Sequence, residues 1–133
     1  MTITASGPAD TWFGIGLNAK LMSDQPYTII LNGSGFVFER QIGTCGSEAE
    51  HCPGDVLSTS VKMISNTVVK GVRTVVMTRA MQGISPKHYT FDPETQSTIH
   101  FISAVGSSQV FGYHKAHAPA VVTMIQVCMQ PQN

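Results

Sequence analysis

A chain of 133 residues, 42% hydrophobic and only 12% charged, is long enough to bury most of its apolar surface in one domain, 1–133. Eight basic and eight acidic residues cancel to zero formal charge, which removes the electrostatic drive for binding nucleic acid or an anionic membrane surface. Twelve glycines and seven prolines beside so low a charge predict a turn-rich β protein rather than a helical bundle.

Residues 1–6 alternate, with Ile3 and Ala5 against Thr2, Thr4 and Ser6, which predicts a half-buried strand. Gly7-Pro8-Ala9-Asp10 reads as a turn. The next strand, 11–17, sets Trp12, Gly14 and Gly16 on one face and Phe13, Ile15 and Leu17 on the other. Two glycines leave the first face bare, so another group can approach the backbone there. The polar stretch 18–25 carries Met22 and stops at Pro26. Residues 27–31 and 36–42 read as strands joined through Asn32-Gly33-Ser34-Gly35, a strong hairpin signal.

Cys45 and Cys52 bracket a short polar loop, a spacing that suits a disulfide in a secreted protein; Cys128 alternates with apolar neighbours and reads as a buried thiol. The β-branched stretch 56–69 predicts one strand, or two broken near Asn66, and Gly71 separates it from a further strand over 72–81. A loop over 83–95 contains Ser85-Pro86 and Asp92-Pro93. The strand over 97–104, the turn at Gly106-Ser107-Ser108, a short extended piece over 109–114 and a last strand over 120–129 complete the chain, with His114 and His117 straddling a turn. No apolar run reaches the 18 or so residues of a membrane-spanning helix, and the first six residues have no signal-peptide pattern. Eight or nine short strands at this spacing predict an all-β antiparallel sandwich.

The common hydrolase, nucleotide and zinc signatures are absent from the sequence. Glu48, Glu50 and Asp55 lie in or beside the cysteine loop, while Asp92 and Glu94 flank Pro93 as turn residues, so paired-carboxylate chemistry has no support. Histidine and methionine remain, the side chains that together hold the iron of some haems. Met63, Met77, Met81, Met124 and Met129 sit in apolar runs where gap-filling is their ordinary role, whereas Met22 stands in a polar loop. His51 and His88 fall in polar loops and read as solvated, and His100 reads as an edge or surface residue. There is no Cys-x-x-Cys-His, so any haem is non-covalent and b-type.

Trp12 to Asn18, then Met22-Ser23-Asp24, then 75–81 with Arg79, then 101–106 followed by Tyr113-His114, form an ordered set of blocks. In that order they resemble the DOMON family, and above all its cytochrome-b members in cellobiose dehydrogenases, plant auxin-responsive b-cytochromes and cytochrome-b561-linked proteins. The resemblance implies an immunoglobulin-like two-sheet sandwich that binds haem b, with Met22 and His114 as axial ligands and His117 as the substitute. Trp12, Phe13, Ile15, Met77, Phe101 and Tyr113 are then the residues around the ring. It implies an electron carrier rather than an enzyme, extracellular or attached to the outer side of a membrane. The partner is a redox protein: a flavoprotein, a membrane cytochrome or a copper enzyme. The family carries more strand sequence before its Trp block than this chain does, so an edge strand is expected to be missing here. Two other readings stay open: a non-haem module binding carbohydrate or another small ligand, with Trp12, Tyr27 or Tyr113 as stacking platforms, and a structural adhesion domain.

Overall fold

The structure, a computed structural model, describes residues 1–43, 53–112 and 114–123, with 119–123 as backbone only. Cys45, Cys52, Cys128, His51 and Tyr113, and with them the expected disulfide, lie outside the described residues. Two antiparallel sheets pack together as a β-sandwich. The strands are β1 (Thr2–Pro8), β2 (Phe13–Leu17), β3 (Tyr27–Leu31), β4 (Val37–Gln41), β5 (Asp55–Val56), β6 (Lys62–Val69), β7 (Val72–Thr78), β8 (Thr98–Gly106) and β9 (His114–Thr123), with one 3-10 turn at Met22–Asp24. The smaller sheet runs β1-β7-β6 and the larger β5-β4-β3-β2-β8-β9. No helix among the described residues is long and apolar enough to cross a membrane.

Alternation explains the core. Phe13, Ile15 and Leu17 of β2 lie opposite Leu31, Ile29 and Tyr27 of β3, so one face of the larger sheet is continuously apolar. Against it β7 places Val75 and Met77, which like Ile29 and Leu31 are wholly excluded from solvent. At roughly 25 cal/mol per Å² of buried apolar area, this contact is the main favourable contribution to folding.

Several boundaries differ from the sequence expectation: β1 runs on through Gly7 and Pro8, expected in a turn, because they pair with Arg73 and Val72 of β7. The stretch 56–69 divides at 57–61, not near Asn66. There Leu57 N–H still follows the β4–β5 register in donating to the Glu39 carbonyl, but Ser60 and Val61 N–H donate to the Glu39 carboxylate, so those two donors are spent outside any ladder. The irregularity inside β6 falls between Met63 and Ser65, while Asn66 pairs regularly with Val75. Strand β7 ends at Thr78, where the Arg79 side chain turns back to the carbonyls of Ala80 and Tyr89. Strand β8 runs on through Gly106, and β9 contains both His114 and His117 with no turn between them. In place of the turn there is a bulge: Val105 pairs with Ala116 and Gly106 with His114, leaving Lys115 as the extra residue.

Candidate functional site: an apolar cleft and a buried polar centre

Strand β1 and the β2-β8-β9 half of the larger sheet leave an open cleft of about 720 Å³ between them, inside the roughly 300–1,000 Å³ range of small-molecule sites. Phe13, Ile15 and Leu17 line it from β2, Phe101 and Val105 from β8, and Ile3 and Ala5 from β1. Small side chains widen it, because Ser103 pairs with Ala118 and Val105 with Ala116.

Of the residues expected around a ring, Phe13, Ile15 and Phe101 line this cleft. Met77 sits in the core, and Trp12 lies elsewhere, its indole edge-on to Phe111 at 4.9 Å between centroids. The bare glycine face of β2 is filled by its own neighbours. A Cβ on Gly14 would stand 3.2 Å from Ile30 Cγ1, and one on Gly16 3.0 Å from Ile102 Cγ1 and 3.1 Å from Pro26 Cγ. No space for a flat molecule remains over those glycines.

The expected axial pair is set far apart. Met22 follows the Leu17 end of β2, whereas His114 pairs with Gly106, next to the Phe13 end and two strands across. Phe13 to Leu17 alone spans ~13 Å at ~3.3 Å per residue. Neither residue lines the cleft. Met22 therefore lies beyond one end of β2 and His114 beside the other. His117 contributes to the cleft wall, yet alternation turns its side chain, like that of its partner Ala104, to the opposite face. Its ring lies 4.8 Å from that of His114. Among the described residues no three His, Cys, Asp or Glu side chains gather as a metal site.

A second centre was not legible as one in the sequence. Glu39 of β4, 1% exposed, accepts hydrogen bonds from the Tyr27 hydroxyl and the Ser60 hydroxyl, and from the backbone N–H of Ser60 (2.6 Å) and Val61 (3.2 Å). Its only sequence signal is its phase, since it alternates with Val37 onto the inner face. Burial pushes the Glu39 carboxyl up, but the bonds from Ser60, Tyr27 and the two N–H groups outweigh it and hold the group below the usual range. Burial first, and then the bond to Glu39, push the Tyr27 phenol well above its ordinary value. Arg79, 5% exposed, lies over the Tyr27 and Phe91 rings at 5.0 and 5.3 Å, and its Nη1 has no hydrogen-bond partner among the described residues.

His88, expected to be solvated, is 5% exposed beside Tyr27, with 5.5 Å between ring centroids. Its burial follows from Ser58 and Ser85, which satisfy its two nitrogens. A smaller cavity of about 400 Å³ opens where His88 meets the 18–26 segment.

Comparison of the chain with protein-family models, with curated proteins and with solved structures returns no match.

Proposed function

We propose that this chain is a ligand-binding β-sandwich module whose open cleft takes a flat, apolar small molecule. The observation that carries this reading is the cleft itself, with apolar walls of Phe13, Ile15, Phe101 and Val105 and a wide floor of the small side chains Ser103, Ala116 and Ala118. A sugar-stacking function has less support, because Trp12 and Tyr27 are each only 4% exposed and present no free ring face. Haem b is the flat apolar molecule nominated by the DOMON-like sequence blocks. With it comes the role of an extracytoplasmic single-electron carrier for a flavoprotein, a membrane cytochrome or a copper enzyme. That part of the proposal rests on residue order, since Met22 and His114 stand at opposite ends of the sheet.

Titrating the protein with haem and following the visible spectrum tests both layers. Binding in the cleft is expected to saturate at one haem per chain and to weaken at least about tenfold in Ala118→Trp, which fills the floor from a position outside the buried core cluster. Equal uptake by Ala118→Trp would remove the cleft as the site. A low-spin spectrum lost in both Met22→Ala and His114→Ala would support axial ligation and require the two ends of the sheet to approach each other. A spectrum unaffected by either change would rule out that ligand pair, leaving haem as a cleft ligand only.

A further inference from the structure

Ser85-Pro86-Lys87-His88 forms a tight turn in which His88 N–H donates to the Ser85 carbonyl at 3.1 Å, with proline at the position where its fixed φ suits the bend. The turn sets Ser85 Oγ 2.6 Å from His88 Nδ1. The other ring nitrogen, Nε2, is 2.8 Å from the carbonyl oxygen of Ser58. A carbonyl only accepts, so Nε2 carries a proton; in the neutral ring Nδ1 then offers its lone pair and the Ser85 hydroxyl donates to it. Behind Nε2, at 3.9 Å, lies Oε1 of the buried Glu39 carboxylate. Hydroxyl, imidazole and carboxylate stand in the order of nucleophile, base and orienting group.

A second observation concerns the rest of the cavity wall. Ser85 and His88 line the 400 Å³ cavity together with Asn18 and Gln25. These two hold left-handed backbone, with φ of 58° and 55°, without being glycine. Backbone held in sparsely populated conformations gathers at functional sites because the surroundings must enforce it. Gln25 takes its φ as the cap of the 3-10 turn, its N–H donating to the Met22 carbonyl at 3.0 Å, and the Asp24 carboxylate ties the start of that turn by accepting from Lys20 N–H at 2.9 Å and Leu21 N–H at 3.1 Å.

We infer that this cavity, distinct from the apolar cleft, is an acyl-transfer site for small polar esters, with Ser85 as nucleophile and His88 as base. Ser85 Oγ attacks the ester carbonyl carbon while its proton passes to His88 Nδ1. The ester C–O bond breaks, and the alcohol leaves with that proton. A water molecule then gives a proton to the same nitrogen and attacks the acyl carbon. The Ser85–acyl bond breaks, the acid departs, and the serine recovers its proton. Glu39 is a positioning residue, whose negative charge offsets the imidazolium formed in each half.

The full chain is treated with a fluorophosphonate probe, which forms a P–O bond to an activated serine and releases fluoride, and separately with p-nitrophenyl acetate. Labelling is expected at Ser85, absent in Ser85→Ala, at least about tenfold slower in His88→Gln, and unchanged in Ser65→Ala on the exposed β6. Glu39→Gln, assayed where its far-ultraviolet spectrum matches the parent, is expected to lower the maximal p-nitrophenyl acetate rate without shifting the half-saturating concentration. An unlabelled parent chain, or a Ser85→Ala chain still labelled at the parent rate, overturns the assignment. Either result leaves the cleft reading untouched, because haem uptake is measured independently.

Discussion

Glu39→Ala is expected to lower the free energy of unfolding by about 3–5 kcal/mol, because it strands two buried and two part-buried donors at about 1–3 kcal/mol each, less than additively. The Tyr27 and Ser60 hydroxyls and the N–H groups of Ser60 and Val61 all lose their acceptor, in the segment where the chain crosses between the sheets. A domain of ordinary stability has only about 5–15 kcal/mol to lose. Urea unfolding followed by circular dichroism measures it, and a loss under about 1 kcal/mol would show that water replaces the carboxylate freely. The same group sets a pH window. Its folded pKa lies below its unfolded value of 4.5, so its contribution is full above that value and disappears as pH falls through the folded pKa. Tyr27 acts at the other limit: its folded pKa is raised above 10.0, so its contribution is full below pH 10 and fades as pH rises beyond that. Glu39→Gln should flatten the acid limb of the stability profile.

Gly106→Ala is expected to cost about 3 kcal/mol, at the upper end of overpacking effects. Gly106 N–H donates to the Trp12 carbonyl at 2.8 Å, which holds the two backbones side by side. A Cβ there would stand 1.9 Å from Trp12 Nε1 and 2.2 Å from Cδ1, so the indole must leave its place. That displacement propagates, because Trp12 meets Phe111 edge-on, Phe111 meets Phe38 at 5.6 Å, and the Arg40 guanidinium lies 5.2 Å over Phe111. Trp12 is the chain's one tryptophan, so its emission reports the event directly. The expected result is a red shift together with a lower denaturation midpoint, and Trp12→Phe in the Gly106→Ala background should recover part of the loss. An unshifted emission maximum would mean that the indole keeps its place.

Much of the architecture was legible in the residues. Alternation gave β2 its two faces, the apolar run 27–31 and the Asn32-Gly33 signal located β3 and the hairpin to β4, and the number and spacing of short strands indicated a sandwich. These are short-range properties: which face a side chain takes follows from its position modulo two, and a tight turn from residues within four positions. The apolar cleft was half legible. Phe13, Ile15 and Phe101 were singled out, but the contribution of β1 needs the pairing of Thr2–Pro8 with β7, which only the packed sheets provide.

Tertiary structure decided the rest. Glu39 finds Ser60 and Val61 across more than twenty positions, and no window of sequence shows that a strand carboxylate will be buried and satisfied. For the same reason His88 looked solvated: its polar neighbours in sequence did not reveal that Ser58 would close over Nε2. Met22 and His114 matched a residue order, but order carries no distance. Met22 follows the Leu17 end of β2, whereas His114 pairs with Gly106 beside the Phe13 end, so residue order did not bring them to the same end of the sheet. The sequence by itself determined that the chain is built of short strands and which faces β2 presents, since period-two patterning is local. Register, bulges and the partners of buried polar groups arise only when distant segments compete for the same hydrogen bonds, so the fold alone determined which side chains share a site.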